Sequence, residues 1–153
     1  FFSNTVFHSP IINKNHSFLS LSLKMDFTPL TWSDIKYFSK ALKKNKSSLK
    51  VLDFAADTSN IRLTAEMFAT LAPIIAKNTV VEVLSIAGNQ LGSLGADSIA
   101  KILKYNTTLT RLYCTRNRFS SADWTRCFQS ASSNKHCSLK SVLFDINYSE
   151  KIV

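Results

Sequence analysis

At 153 residues the chain has the length of one domain with a substantial core. Apolar residues make up 45% of it, and no uninterrupted apolar run approaches eighteen, which argues against a membrane-spanning helix. The net charge of +9 is uneven: residues 1–48 hold seven basic and two acidic side chains, and residues 109–138 hold five and one. Such clusters suit an acidic protein face, anionic lipid or nucleic acid, against the simpler alternative of a solvated lysine-rich surface.

Residues 1–12 are apolar but carry Asn4, His8 and Pro10 and lack a basic leader, so they do not read as a signal peptide. Pro10-Ile11-Ile12 with Lys14-Asn15 returns 63 positions later as Pro73-Ile74-Ile75 with Lys77-Asn78. The first stretch is therefore expected to be the tail of a helix from a preceding unit.

From residue 18 a phrase recurs: apolar, two free positions, apolar, one free, apolar, two free, then Asn or Asp. It is read at Phe18-Leu21-Leu23-Asp26, Leu49-Leu52-Phe54-Asp57, Val81-Leu84-Ile86-Asn89, Leu109-Leu112-Cys114-Asn117 and Leu139-Val142-Phe144-Asn147, at steps of 31, 32, 28 and 30 residues. A period near thirty indicates a solenoid, whose units bury apolar faces only against their neighbours. The alternation inside each phrase predicts strands near 18–24, 49–55, 81–87, 109–115 and 139–145, with Leu52, Phe54, Leu84 and Ile86 pointing inward. The closing Asn or Asp fits a turn.

Between the strands the apolar spacing becomes helical. Residues 33–44 place Ile35, Phe38 and Leu42 on one face and Lys36, Lys40, Lys43 and Lys44 largely on the other. Residues 64–77 group Met67, Leu71, Ile74 and Ile75. Residues 94–105 group Leu94, Ile99, Ile102 and Leu103, with Gly95-Ala96 expected to let helix and strand backbones approach. Residues 121–132 give a serine-rich helix with Trp124, Cys127, Phe128 and Ala131. A second asparagine precedes each strand: Asn15, Asn45, Asn78, Asn106 and Asn134. The whole is expected to be one domain over 1–153, about four and a half repeats, and a fragment of a longer solenoid without caps.

Three cysteines cannot form a complete disulfide set. Cys114 takes a core position, and Cys127, Cys137 and His136 lack zinc-ligand spacing, so reduced intracellular thiols and a cytoplasmic setting are expected. Glycosylation triplets begin at Asn15, Asn45, Asn106 and Asn147, mostly on the repeat's own asparagines, and carry little weight.

The unit VEVLSIAGNQLGSLGADSIAKILKYNTTLTRL, from Val81 to Leu112, closely resembles the ribonuclease-inhibitor type of leucine-rich repeat through Leu84, Ile86, Asn89, Leu91, Gly95, Ala96, Ile99, Leu103, Asn106 and Leu109. The match is loose at 49–80 and 118–138, where the Gly-Ala pair is missing. The resemblance implies an α/β horseshoe with a parallel sheet on the concave face and helices on the convex face. The run from Ser85 to Phe119 is most similar to the CARMIL family of actin regulators; tropomodulin-like and NOD-like receptor repeats are also similar. It implies a non-catalytic protein-interaction scaffold in actin cytoskeleton regulation, with a GTPase-activating or NOD-like receptor type domain as the alternative.

The free strand positions, which would form the concave face, are mostly small or neutral. The exceptions are Arg111 and Tyr113, with Arg116 and Arg118 on the adjoining turn, and Leu143 and Asp145 on the next strand. Tyr and Arg are the residue types most often found as interface anchors, and planar guanidinium groups suit carboxylates. An acidic protein partner is expected there. Weak contact with anionic membrane is expected through Lys36, Lys40, Lys43 and Lys44, without an aromatic lipid-facing stripe. The chain shows no Gly-rich phosphate loop, nucleophile elbow or HExxH, and His8, His16 and His136 are scattered. No enzyme activity, cofactor, metal, small-molecule substrate or specific nucleic acid is expected.

Overall fold

The computed structural model describes residues 22–24, 29–44, 49–56 and 62–144. Strand and helix alternate throughout: β1 (Ser22–Lys24), α1 (Trp32–Lys44), β2 (Val51–Asp53), α2 (Ala65–Lys77), β3 (Val83–Ser85), α3 (Gly92–Tyr105), β4 (Arg111–Tyr113), α4 (Ser121–Ser133) and β5 (Ser141–Leu143). The strands form one parallel sheet in sequence order. Parallel neighbours need a long return connection, and each helix supplies it.

The register carries the repeat directly into space. Leu23, Leu52, Leu84, Leu112 and Val142 are successive partners. Leu52 and Leu84 are 0% exposed and Leu112 1%, so the middle strands bury their alternate side chains fully, as the periodicity requires. Each such burial is worth roughly 1.5–3 kcal/mol. Ile35, Phe38 and Leu42 of α1, Met67, Phe68, Leu71 and Ile75 of α2, and Ile99, Ile102 and Leu103 of α3 close the same core from the other side. Phe38 meets Phe54 edge-on at 5.6 Å between ring centres.

The strands are shorter than the seven-residue phrases. Pairing nevertheless continues past them: Phe54 N–H donates to Ser85 O and Ala56 N–H to Ala87 O, both at 2.8 Å, and Gly88 N–H donates to Thr115 O at 2.9 Å. The chain then turns through left-handed backbone at Gly88 (φ 78°) and Gln90 (φ 54°), repeated in the next unit at Arg116 (φ 56°) and Arg118 (φ 59°). At Gly88 a Cβ would lie 2.0 Å from the Ala56 carbonyl oxygen of the preceding unit, so only glycine fits there.

Asparagines do more than close turns. Asn89 is buried; its Nδ2 donates to the carbonyls of Phe54 (2.8 Å) and Ile86 (2.9 Å), and its Oδ1 accepts from the N–H groups of Arg62 and Leu63. Asn117 repeats this toward Ile86 and Cys114 at 3.0 Å each. The second series caps helices. Nδ2 of Asn78, Asn106 and Asn134 donates to Leu42, Ile75 and Leu103, the last-turn carbonyls of the helix one unit earlier. Buried backbone groups must find partners, and one short amide per unit provides them across the unit boundary. Asn106, 3% exposed and fully engaged, is no glycosylation acceptor.

Three packing expectations are corrected. Leu94 is 43% exposed, because α3 begins at Gly92 and its buried face starts at Gly95 and Ala96. Gly95 makes room for a side chain, not a strand: a Cβ there would lie 2.2 Å from the Leu91 Cβ. Phe128 is 40% exposed and joins Trp124 and Phe144 in a ring cluster at the β5 side of α4. The helix tail expected before residue 18, Asn15, Asn45 and both chain ends lie outside the described residues.

Candidate interaction surface on the concave sheet

The side chains between the buried strand positions form the open face of the sheet. Register places them in two rows, Val51–Val83–Arg111–Ser141 and Asp53–Ser85–Tyr113–Leu143. The first strands offer small or half-buried groups, and Asp53 spends one carboxylate oxygen on Ala55 N–H at 3.0 Å. The character changes at β4 and β5. Arg111 is exposed, Tyr113 is half-buried, and Leu143 beside it is 55% exposed. Neighbouring parallel strands lie about 4.8 Å apart and alternate residues about 6.6 Å, so these three side chains share one patch.

Arg116 and Arg118 are exposed on the turn between β4 and α4, flanking buried Asn117. Asn117 fixes the turn by binding carbonyls behind it, which sets the two arginines on the rim where β4 leaves the sheet. A left-handed conformation costs a non-glycine residue about 1–2 kcal/mol, so the turn holds these side chains against backbone preference. The sixth expected contact on this side, Asp145, lies outside the described residues.

A third row, absent from the sequence reading, borders the patch at the strand entries. Lys50, Glu82, Thr110 and Lys140 are linked by backbone hydrogen bonds from each residue to the one before it. Lys50 Nζ reaches Glu82 Oε1 at 2.6 Å. This pairing satisfies the carboxylate next to Arg111 from the side of β2, leaving the β4–β5 end basic. The signal was one polar residue per unit just before each strand, which carries meaning only once register aligns the units.

Among the described residues, no three His, Cys, Asp or Glu side chains could hold a metal together. Cys114 and Cys127 are buried and Cys137 is partly so. Burial pushes the Cys127 thiol up to about 12, so it stays protonated. Among the described residues the one buried carboxylate, Asp123, is spent on structure. Burial alone would raise it, but the Ser120 N–H and hydroxyl, the Ser93 hydroxyl and Arg126 together hold it below the ordinary range.

The expected lysine face of α1 is present: Lys36, Lys40, Lys43 and Lys44 are all exposed. One exposed aromatic stands at the start of this face. Trp32 is 56% exposed and lies on the i, i+4 line of Lys36, Lys40 and Lys44, and Tyr37 is 62% exposed elsewhere on the same helix. Trp32 precedes the buried stripe that begins at Ile35, so the core does not claim it. No helix among the described residues is long and apolar enough to cross a membrane.

No described protein family matches the sequence, and no curated protein matches it. Solved structures do. The chain is similar to leiomodin-1 actin-binding site 2, with a TM-score of 0.63 and 18% identity over 77% of this chain and 65% of that one. It is also similar to the tropomodulin C-terminal domain of Caenorhabditis elegans, with a TM-score of 0.59 and 16% identity over 73% of this chain and 63% of that one. The chain thus spans a little under two thirds of each, and at these identities the likeness establishes the fold: a leucine-rich-repeat α/β solenoid with a parallel sheet backed by helices.

Proposed function

We propose that the chain is a non-catalytic protein-interaction domain acting in actin regulation in the cytoplasm. Its binding surface is the β4–β5 end of the concave sheet, with Arg111, Tyr113, Leu143, Arg116 and Arg118 as contacts to an acidic protein face. The observation that carries this reading is the register of Tyr113 with exposed Leu143 on an open sheet, bordered by three exposed arginines. A tyrosine ringed by guanidinium groups has the composition of an interface hot spot, and the exposed leucine beside it adds apolar area to the patch. The two similar structures, one of them an actin-binding site, support actin as the first partner to test. Within actin regulators, the Ser85–Phe119 phrases favour a CARMIL-like domain.

The test is co-sedimentation of the chain with filamentous actin and capture of monomeric actin, using wild type and the triple variant Arg111→Glu, Arg116→Glu, Arg118→Glu. Binding by wild type and its loss in a variant of unchanged circular dichroism is the expected result. Equal actin binding by both removes the assigned surface. Absence of binding by wild type removes actin as the partner.

A further inference from the structure

The helices all run the same way, so their last turns and the loops that follow line one rim of the solenoid. Sequence order hides how one-sided this rim is. Its described segments, residues 40–44, 73–80, 100–108 and 130–138, contain Lys40, Lys43, Lys44, Lys77, Lys101, Lys104 and Lys135, with His136, and no Asp or Glu. The acidic residues of the helices lie toward the other end: Asp34, Glu66 and Asp123 in first turns and Asp97 in the second turn of α3. The asparagine caps bind the rim together, since Asn78 reaches Leu42 O at 3.1 Å and Asn106 reaches Ile75 O at 2.8 Å. Lys77 is thereby held beside the α1 end that carries Lys43 and Lys44.

Between the ends of α2 and α3 lies an open groove of about 340 Å³, lined by Lys77, Lys101, Tyr105, Thr79 and Thr107 together with Pro73. Tyr105 is 57% exposed there, with Lys104 Nζ 5.5 Å from its ring centre. We propose that this rim docks on the surface of an anionic lipid bilayer.

Three features favour a bilayer over other polyanions. Packed helices lie about 8–10 Å apart, so four helix ends present their charges as a shallow row, suited to an extended flat surface. The cations are lysines, compact and rotatable, which suit many mobile headgroups better than one fixed bidentate partner. The exposed aromatic at the groove is a tyrosine, a residue enriched at membrane–water interfaces. A nucleic acid would call for a series of stacking aromatics, and the rim offers one. The lysines also complement the negative ends of their own helix dipoles, and the one carboxylate in the described loops that follow the helices, Glu82 just before β3, is paired with Lys50 at 2.6 Å. The basic surface expected on α1 is thus the flank of a larger one that spans all four helices.

The test is sedimentation of the full chain with vesicles of phosphatidylcholine alone and of phosphatidylcholine and phosphatidylserine in equal parts. Binding is expected only to the anionic vesicles at about 0.1 M salt, and is expected to vanish near 1 M, where screening is complete within about 3 Å. Each lysine near the surface contributes about fivefold in partition, so the triple variant Lys77→Gln, Lys101→Gln, Lys104→Gln should bind on the order of a hundredfold more weakly. These positions are exposed; if circular dichroism shows a folding defect, Lys43→Gln with Lys44→Gln serves as the second variant, with a smaller loss expected. The proposal is overturned if wild type ignores anionic vesicles, if the variants bind as wild type does, or if a short single-stranded oligonucleotide binds more tightly than the vesicles. Arg116→Glu with Arg118→Glu, on the opposite rim, should leave vesicle binding unchanged and so keeps this surface distinct from the concave patch.

Discussion

The side-chain Nδ2 of Asn106 lies 2.8 Å from the carbonyl oxygen of Ile75, one helix back along the solenoid. The same amide also reaches Asn78 O at 3.0 Å, while its Oδ1 accepts from Thr108 and Leu109 N–H groups. One side chain therefore ties the approach to the next strand to the end of the helix before it, while the backbone N–H of the same residue closes its own helix on Ile102 O. An unpaired buried polar group costs about 1–3 kcal/mol, and several are exposed together when this side chain is removed.

Asn106→Ala is accordingly expected to lower unfolding free energy by about 2–4 kcal/mol in urea titration. Asn134→Ala should cost less, because Asn134 is only partly buried. Equal, small losses at both positions would show that the ladder contributes little to holding the units together.

The two arginines of the β4–α4 turn separate stability from binding. Arg116 occupies at φ 56° the place that Gly88 occupies at 78° one unit earlier. Arg116→Gly should relieve left-handed strain of about 1–2 kcal/mol, less the extra entropy glycine gains in the unfolded chain, for a net gain of a few tenths to about 1 kcal/mol. The same change should weaken capture of an acidic partner. A variant both more stable and unimpaired in capture would mean that Arg116 serves neither purpose.

Asp123 makes stability depend on pH in a defined direction. Its carboxyl titrates below its ordinary value in the fold, so the stabilisation is present above the unfolded value and is lost as pH falls through the folded one. Wild type should lose stability on acidification below about pH 4, the ordinary range of an aspartate. Asp123→Asn should flatten that limb, measured by urea titration at a series of pH values, while lowering stability at neutral pH through loss of the Ser120 capping box and the Arg126 pair.

Thiol labelling reports the core directly. Cys114 and Cys127 are buried, and Cys127 S–H points to Ala96 O at 3.4 Å. A disulfide reagent at neutral pH should modify Cys137 first, with the other two reacting only as urea unfolds the chain. Early reaction of Cys127 would contradict its placement between α3 and α4.

The phrase from Leu49 to Asn147 was sufficient to set strand against helix, because a two-residue alternation and a 3.6-residue stripe bury different sets of side chains. Leu52, Leu84 and Leu112, Phe38 with Leu42, and the four helices within about two residues were all legible on that basis. Arg111 and Tyr113 could be named as open-face positions for the same reason. What a linear pattern could not carry was the identity of lateral neighbours. Tyr113 beside Leu143, Glu82 paired to Lys50, and the caps from Asn78 to Leu42 and Asn106 to Ile75 join residues about thirty apart. Those pairings follow from register, which parallel stacking alone decides. The same stacking turned Leu94 and Phe128 outward and gathered lysines from four helix ends onto one rim.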